Sequence, residues 1–268
     1  MKLHGSRVLL TGAGSGIGRS LALALGARGA KLILVGRNIA RLDETVRQVT
    51  ANGGNASAVA HDLGDPEGHD RLVQSTVSRL GGIDLLINNA GISGFGEFVR
   101  ENPAAIDDII NINISAPLLL TRAVLPVMLA SGKGRIVNVG SILGSIGFPH
   151  FATYSASKFA LRGFSEALRR ELAGTGVGVN YVAPRTTRTT FNSDALHQLS
   201  AASGAAIDDP ATVAAIIVDA INADRNEVYI GWPEKLAVRL NALLPGLIST
   251  AIGKQVAAAR QLLRNPGT

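Results

Sequence analysis

The chain has 268 residues, 46% apolar and 17% charged, which fits one large or two small globular domains and excludes disordered and fibrous classes. It has no cysteine, so disulfide frameworks, thiolate nucleophiles and Cys-ligated metals are also excluded. Its net charge of +6 suits an anionic partner such as a phosphorylated cofactor, an acidic carrier protein or a membrane surface. Basic residues are scattered and aromatics are only 4%, which argues against nucleic acid. Short apolar runs predict strands at 8–10, 31–35, 56–60, 84–87, 135–139, 177–182 and 228–230. Amphipathic stretches between them predict helices at 16–27, 41–50, 66–80, 103–130, 151–173 and 210–223. This alternation predicts a doubly wound α/β domain, with a parallel sheet of about seven strands covered by helices on both faces.

Two segments interrupt the pattern. Residues 185–209 follow a strand end, where such sheets bind ligands, and are expected to form a substrate-side loop with one or two short helices. Residues 233–268 extend beyond the last strand, so the catalytic domain is expected over 1–232, with a helical extension packed on or beside it. Leu236, Leu240, Leu243, Leu244 and Leu247 recur at helical spacing in that extension, flanked by Lys235, Arg239 and Lys254. That face must be covered by the core, another subunit, a lipid surface or an acyl chain. The residues Met1 to Arg7 show no signal-peptide pattern, and no run of about 18 uninterrupted apolar residues occurs. A cytoplasmic location is expected, with membrane association through the extension as a second reading.

The segment Thr11-Gly12-Ala13-Gly14-Ser15-Gly16-Ile17-Gly18 follows the first strand and opens a helix. That context makes a glycine pattern a dinucleotide-binding signal, because free amides at a helix N-terminus face phosphates. Gly12 would allow the tight turn, Gly16 the approach of a pyrophosphate and Gly18 the packing of helix on strand. The second strand ends at Gly36-Arg37, without the acidic residue that holds a ribose 2′-hydroxyl. Arg37 supplies donors for a 2′-phosphate instead, so NADP(H) is expected over NAD(H). Asp62 and Leu63 end the third strand, where Asp62 can meet an adenine amino group. Tyr154 and Lys158 stand at i and i+4 on one helix face, and an ammonium beside a phenol is expected to lower its pKa towards the range of a general acid or base. The five histidines are dispersed and show no metal spacing, so no metal is expected.

Together these motifs resemble the short-chain dehydrogenase/reductase family. The matching residues run in the family's order from Arg7 to Ile230: Thr11–Gly18, Asn88-Asn89-Ala90-Gly91, Asn113, Ser141 (13 residues before Tyr154), Tyr154 with Lys158, and Val182-Ala183-Pro184. The resemblance implies an NADP(H)-dependent oxidoreductase interconverting a carbonyl and a secondary alcohol, with a hydrophobic ketone, acyl or lipid-like substrate. It implies catalytic roles for Tyr154 as proton donor or acceptor, Ser141 as partner of the carbonyl oxygen, Lys158 as holder of the nicotinamide ribose, and Asn113 as holder of a relay water. Asn111 is the alternative to Asn113. Gly12, Gly14, Ser15, Gly16, Ile17, Gly18, Arg37, Asp62, Leu63, Asn89, Ala90, Gly91, Tyr154, Lys158, Pro184, Thr187 and Thr189 are the implied cofactor contacts, while Asn138 is read as structural. Ser141, Leu143, Phe148, Tyr154 and Arg185 are expected at the substrate, Arg185 standing where the family usually has glycine. A homodimer or homotetramer built on helices 103–130 and 151–173 is expected, with Leu118, Leu119, Val124, Phe159, Phe164 and Leu168 as apolar candidates. The reading from another class is a non-catalytic dinucleotide-binding regulator or scaffold.

Overall fold

Strand β1 (Arg7–Thr11) sends Val8 and Leu10 into one apolar cluster and Leu9 into another. A strand alternates its side chains, so a strand apolar throughout must be covered on both faces. The same division separates Leu32 and Leu34 from Ile33 and Val35 on β2 (Lys31–Gly36). The remaining strands are β3 (Asn55–Ala60), β4 (Leu85–Asn88), β5 (Gly134–Val139), β6 (Val177–Ala183) and β7 (Glu227–Tyr229). They form one sheet in the order β3-β2-β1-β4-β5-β6-β7, and every pair is parallel. The computed structural model describes residues 1–189, 191, 206–250 and 252–253.

Helices α1 (Gly16–Gly26), α2 (Ile39–Ala51) and α7 (Pro210–Asn222) supply Leu21, Leu25, Leu42, Val213 and Ile217 to the first cluster. Helices α3 (Gly68–Leu80), α5 (Ala116–Ala130) and α6 (Ala152–Glu171) supply Leu72, Leu120, Val124, Met128 and Leu168 to the second. Each aliphatic side chain taken fully out of water in these layers contributes about 1.5–3 kcal/mol.

The boundaries that differ from the sequence expectation have local causes. Helix α2 begins two residues early because the Asn38 side chain accepts a hydrogen bond from the Arg41 amide, 3.0 Å. Helix α3 begins late because Asp65 Oδ1 accepts from the Glu67 amide and turns the chain there, 3.1 Å. Strand β4 starts one residue later than expected, at Leu85; Asp84 before it receives the Arg7 guanidinium in a two-pronged pair, at 2.8 and 2.7 Å. The expected helix 103–130 divides into α4 (Pro103–Ile110), a π-helical turn over Asn111–Ser115 and α5. That stretch of 28 residues is long and apolar enough to cross a membrane, yet here Leu120, Val124 and Met128 pack on the sheet.

After β7 the chain forms α8 (Glu234–Leu243) and is helical again over 245–250. Val238 packs against Ile142, Ile146 and Tyr181, and Asn241 Nδ2 donates to the Ser145 carbonyl at 2.9 Å. The short helices expected in 185–209 fall almost entirely outside the described residues, as do Lys254 and the residues after it.

Candidate active site

At the carboxyl ends of β1 and β4 the strand order reverses, and the crevice there is the ligand site of such sheets. The glycine turn is built by close approach. Gly12 and Gly16 have φ of +66° and +52°, a region that side chains disfavour. At Gly18 any Cβ would lie 2.1 Å from the Gly12 carbonyl oxygen, so only glycine lets α1 start against the turn. Thr11 Oγ1 accepts hydrogen bonds from the amides of Asn89 (3.0 Å) and Ala90 (3.1 Å), which ties the turn to the end of β4. Asn89 Nδ2 donates to the carbonyls of Thr11 (3.0 Å) and Gly12 (3.3 Å). The Asn89 side chain therefore holds the turn in shape. Thr11 opens the motif in the sequence, but its clasp on the end of β4 was not readable there, because Asn89 lies 78 residues away.

A cavity of about 930 Å³ runs from this turn across the sheet end. Its walls include Gly12, Ser15–Gly18, Arg37, Asp62, Leu63, Asn89–Gly91, Ser141, Leu143, Phe148, Tyr154, Lys158, Pro184, Arg185, Thr187 and Thr189, all expected from sequence. Gly14 and Asn113 are not on the wall; a Cβ at Gly14 would meet Arg41 instead. Arg37 is exposed and, among the described residues, has no hydrogen-bond or ion-pair partner, so its guanidinium is available at the rim. The donor set fits a phosphorylated dinucleotide: a helix N-terminus with no side-chain cap, a rim arginine and a polar floor.

Tyr154 and Lys158 are both buried on α6, Lys158 to 4% exposure, with its Nζ 5.8 Å from the Tyr154 ring centre. The Lys158 ammonium donates to the Val139 carbonyl at 3.2 Å and has no carboxylate partner among the described residues. Burial pushes Lys158 down to about 8. Burial also pushes the Tyr154 phenol up to about 12, against a downward pull from its hydrogen bond with Ser141. Loss of hydration is thus the larger influence on the phenol here, opposite in direction to the lowering expected from a neighbouring ammonium, and Tyr154 holds its proton at neutral pH.

Ser141 caps the turn after β5, its Oγ accepting from the Leu143 amide at 3.1 Å. Beneath it Tyr181, fully buried, accepts from the Ser141 amide (3.4 Å) and donates to the Ser141 carbonyl (3.2 Å). A Cβ at Gly140 or Gly144 would collide with that Tyr181 phenol, so the two glycines make room for it. Sequence did not mark Tyr181, which reads there as one more apolar strand residue. Asn113 sits in the π-helical turn and grips the backbone of Ile92, accepting from its amide (2.9 Å) and donating to its carbonyl (2.8 Å). It also donates to Ser157 Oγ at 3.0 Å. Asn111 points elsewhere, its Nδ2 donating to the Gly64 carbonyl at 3.3 Å. Asn138 joins Asn88 (2.8 Å) and Ser165 (2.8 Å) in a buried polar chain between sheet and helix.

Arg185 lies on the wall of the same cavity, and its charge is matched by acidic partners. Its guanidinium is held by Asp208 (2.8 and 3.0 Å), Glu234 (3.1 Å) and the Trp232 carbonyl (3.1 Å), so it binds the loop to the extension. The far wall of the cavity is apolar: Ile142, Ile146, Phe151 and Phe191, closed by Ala237, Ile248 and Ile252 of the extension. Rings run in contact from Phe148 through Phe151 and Tyr154 to Phe191, with centres 6.1–6.4 Å apart. The sequence offered no spacing that would join residues 248 and 252 to residue 142.

Lys158 gives this site a pH signature in folding. Its depressed value means that the unfolded chain, with a lysine near 10.4, keeps a proton the folded chain has released between about pH 8 and about pH 10.4. The cost of the buried ammonium is carried in full below that window and vanishes above it. A Lys158→Met variant should therefore gain more in Tm over the wild type near pH 7 than near pH 10, as read by thermal melts. A difference that does not change with pH would contradict the burial argument.

A family model described as short chain dehydrogenase matches residues 6–200. Ketoacyl reductase HetN of Nostoc sp. is 40% identical over 229 residues, covering 85% of this chain and 79% of its own. A metagenomic short-chain oxidoreductase crystallised in complex with NADP superposes with a TM-score of 0.73 and 32% identity, over 86% of this chain and 98% of that one. A short-chain dehydrogenase/reductase from Burkholderia phymatum in complex with NAD gives 0.85 and 26%, over 92% and 96%. With its turn, sheet order and Ser-Tyr-Lys arrangement, the chain belongs to the short-chain dehydrogenase/reductase family of oxidoreductases.

Proposed function

We propose that the protein is an NADP(H)-dependent carbonyl reductase, working in reverse as an alcohol dehydrogenase, on an apolar acyl or lipid-like ketone. The observation that carries this reading is the single cavity in which the glycine turn, Ser141, Tyr154 and Lys158 share walls with a long apolar surface. The Nostoc relative, by its name a ketoacyl reductase, supports the acyl class.

The backbone of Gly12–Gly18 would hold the pyrophosphate, Arg37 the 2′-phosphate, Asp62 and Leu63 the adenine, and Thr187 and Thr189 the nicotinamide side. The reduced cofactor, when bound, supplies hydride to the carbonyl carbon. Tyr154, protonated at neutral pH, gives its proton to the carbonyl oxygen, and Ser141 donates a hydrogen bond to the same oxygen. Lys158, which meets no carboxylate among the described residues, would hold ribose hydroxyls with its remaining donors, and its charge would favour the phenolate left behind. Asn113 keeps the Ile92 backbone in place beside Lys158 and so positions the water that returns the proton to Tyr154.

Self-association through α5 and α6 is part of this reading. Of the candidate residues, Val124 and Leu168 face the core, while Leu119 and Phe159 stay 38% and 42% exposed. Leu118, Leu125, Leu129 and Phe164 line a shallow groove of about 200 Å³ between the two helices. A two-fold axis across it would make the contact self-complementary.

Turnover of NADPH with a panel of hydrophobic ketones and 3-oxoacyl thioesters tests the activity. Tyr154→Phe should cut kcat by about 10²–10⁴-fold while the cofactor Kd stays close to wild type; near-normal kcat would refute the role of Tyr154. Arg37→Ala should weaken NADPH about tenfold and leave NADH unchanged, by direct titration of both. Equal binding of the two cofactors by the wild type would overturn the NADP(H) preference. Light scattering should show a dimer or tetramer that Phe159→Glu weakens, and a wild-type monomer at micromolar concentration would reject the assembly.

A further inference from the structure

The exposed large apolar side chains of the described residues are unevenly placed. Ile110, Leu119, Leu129 and Phe159 lie on α4, α5 and α6, and Ile39 stands at the start of α2. All the others gather at the carboxyl edge of the sheet, where the cavity lies. Phe98 and Val99 stand on a turn after β4 and Phe191 beyond β6. The extension after β7 exposes Trp232, Leu236, Leu240, Leu243, Leu244 and Leu247, with Leu243 at 78% and Leu247 at 64%.

Helix α8 divides these roles by spacing. Ala237, Val238 and Asn241 turn inward, onto the cavity wall, Ile142 and Ser145. Leu236, Leu240 and Leu243 follow each other at four and three residues on the outer side. Lys235 and Arg239, four apart and both exposed, make the neighbouring row. The one acidic residue of the helix, Glu234, is taken by Arg185, so the outer face presents only positive charge. Leucines this exposed project outward. A row of projecting leucines beside cations, with a tryptophan at its base, is the chemistry that seats a helix at a lipid headgroup boundary. The inner side of the same segment lines the cavity through Ala237, Ile248 and Ile252, so one layer of chain separates the apolar site from whatever covers the leucines.

We propose that this face docks the protein on an anionic phospholipid bilayer, with α8 lying in the headgroup plane and the cavity drawing its apolar substrate from the lipid. The substrate clause rests on the reductase reading; the docking itself does not.

The test is cosedimentation of the full chain with phosphatidylcholine vesicles, with and without phosphatidylglycerol. The chain should bind the anionic vesicles and release at high salt. Leu243→Glu with Leu247→Glu, at positions outside the core and the cavity wall, should weaken vesicle binding at least about tenfold. Lys235→Glu with Arg239→Glu should weaken it by about fivefold or more per cation. Both variants should keep their melting temperature and their rate on a water-soluble ketone. No binding to anionic vesicles, or binding unchanged in both variants, overturns the proposal. So does a leucine variant that only changes the oligomer mass, or a wild type that retains an acidic carrier protein but not vesicles, since the face is then a protein interface. Vesicle binding without turnover of any ketone would leave the docking standing and sink the reductase reading, and turnover without vesicle binding would do the reverse.

Discussion

Thr11 and Asn89 meet where β1 passes into the glycine turn and β4 ends, and their four hydrogen bonds close the seam of the sheet at its point of reversal. These bonds continue past the last residues paired between β1 and β4, Leu10 and Ile87, where Thr11 Oγ1 also donates to the Ile87 carbonyl at 3.3 Å. The turn is shaped against Asn89, α1 starts against the turn, and the floor of the cavity is the stretch Asn89–Gly91 itself. A side chain at Gly91 would stand 3.1 Å from Asn113 Oδ1 and 3.5 Å from Lys158 Nζ, so the same short segment also sets the clearance in front of Lys158. Cofactor side and proton side are thus positioned from one place.

Lys158 shows what the fold tolerates for the sake of this site. A cation taken out of water without a carboxylate is costly, and burial is the whole cause of its depressed value. Yet its neighbours are a carbonyl and an aromatic face, neither of which neutralises it. Such a group remains available to a ligand that offers hydroxyl oxygens, where a paired lysine would have to break its pair first. The buried chain from Asn88 through Asn138 to Ser165 is the opposite case: polar groups that satisfy one another, and so join sheet and helix with nothing left over for a substrate.

The strands and most helices were legible in the sequence because two-sided burial leaves unbroken apolar runs, and the cofactor end of the site was legible because the turn needs glycine at fixed places. Arg37 at the rim could be placed from the strand end that precedes it. What escaped was the part held by contacts distant in sequence. The ion pairs of Arg185 were not readable because its partners, Asp208 and Glu234, lie 23 and 49 residues away. Tyr181 looked like a strand residue because only the sheet brings it under Ser141. The burial that pushes the Tyr154 phenol upward escaped for a related reason: a sequence shows the neighbouring charge but not the absence of water.

The π-helical turn at Asn111–Ser115 has a consequence for how this site can change over evolutionary time. A wide turn of this kind accommodates one residue more than a regular α-helix would over the same rise. Each residue advances a helix by about 100°, so removing one here would let α4 and α5 merge and would swing Asn113 about a quarter-turn away from Ile92. Substitution can alter the asparagine by degrees, but a single-codon deletion would remove its grip on Ile92 at one stroke while leaving the amide side chain intact. The segment is thereby more exposed to changes in length than to changes in identity, the reverse of the glycine turn.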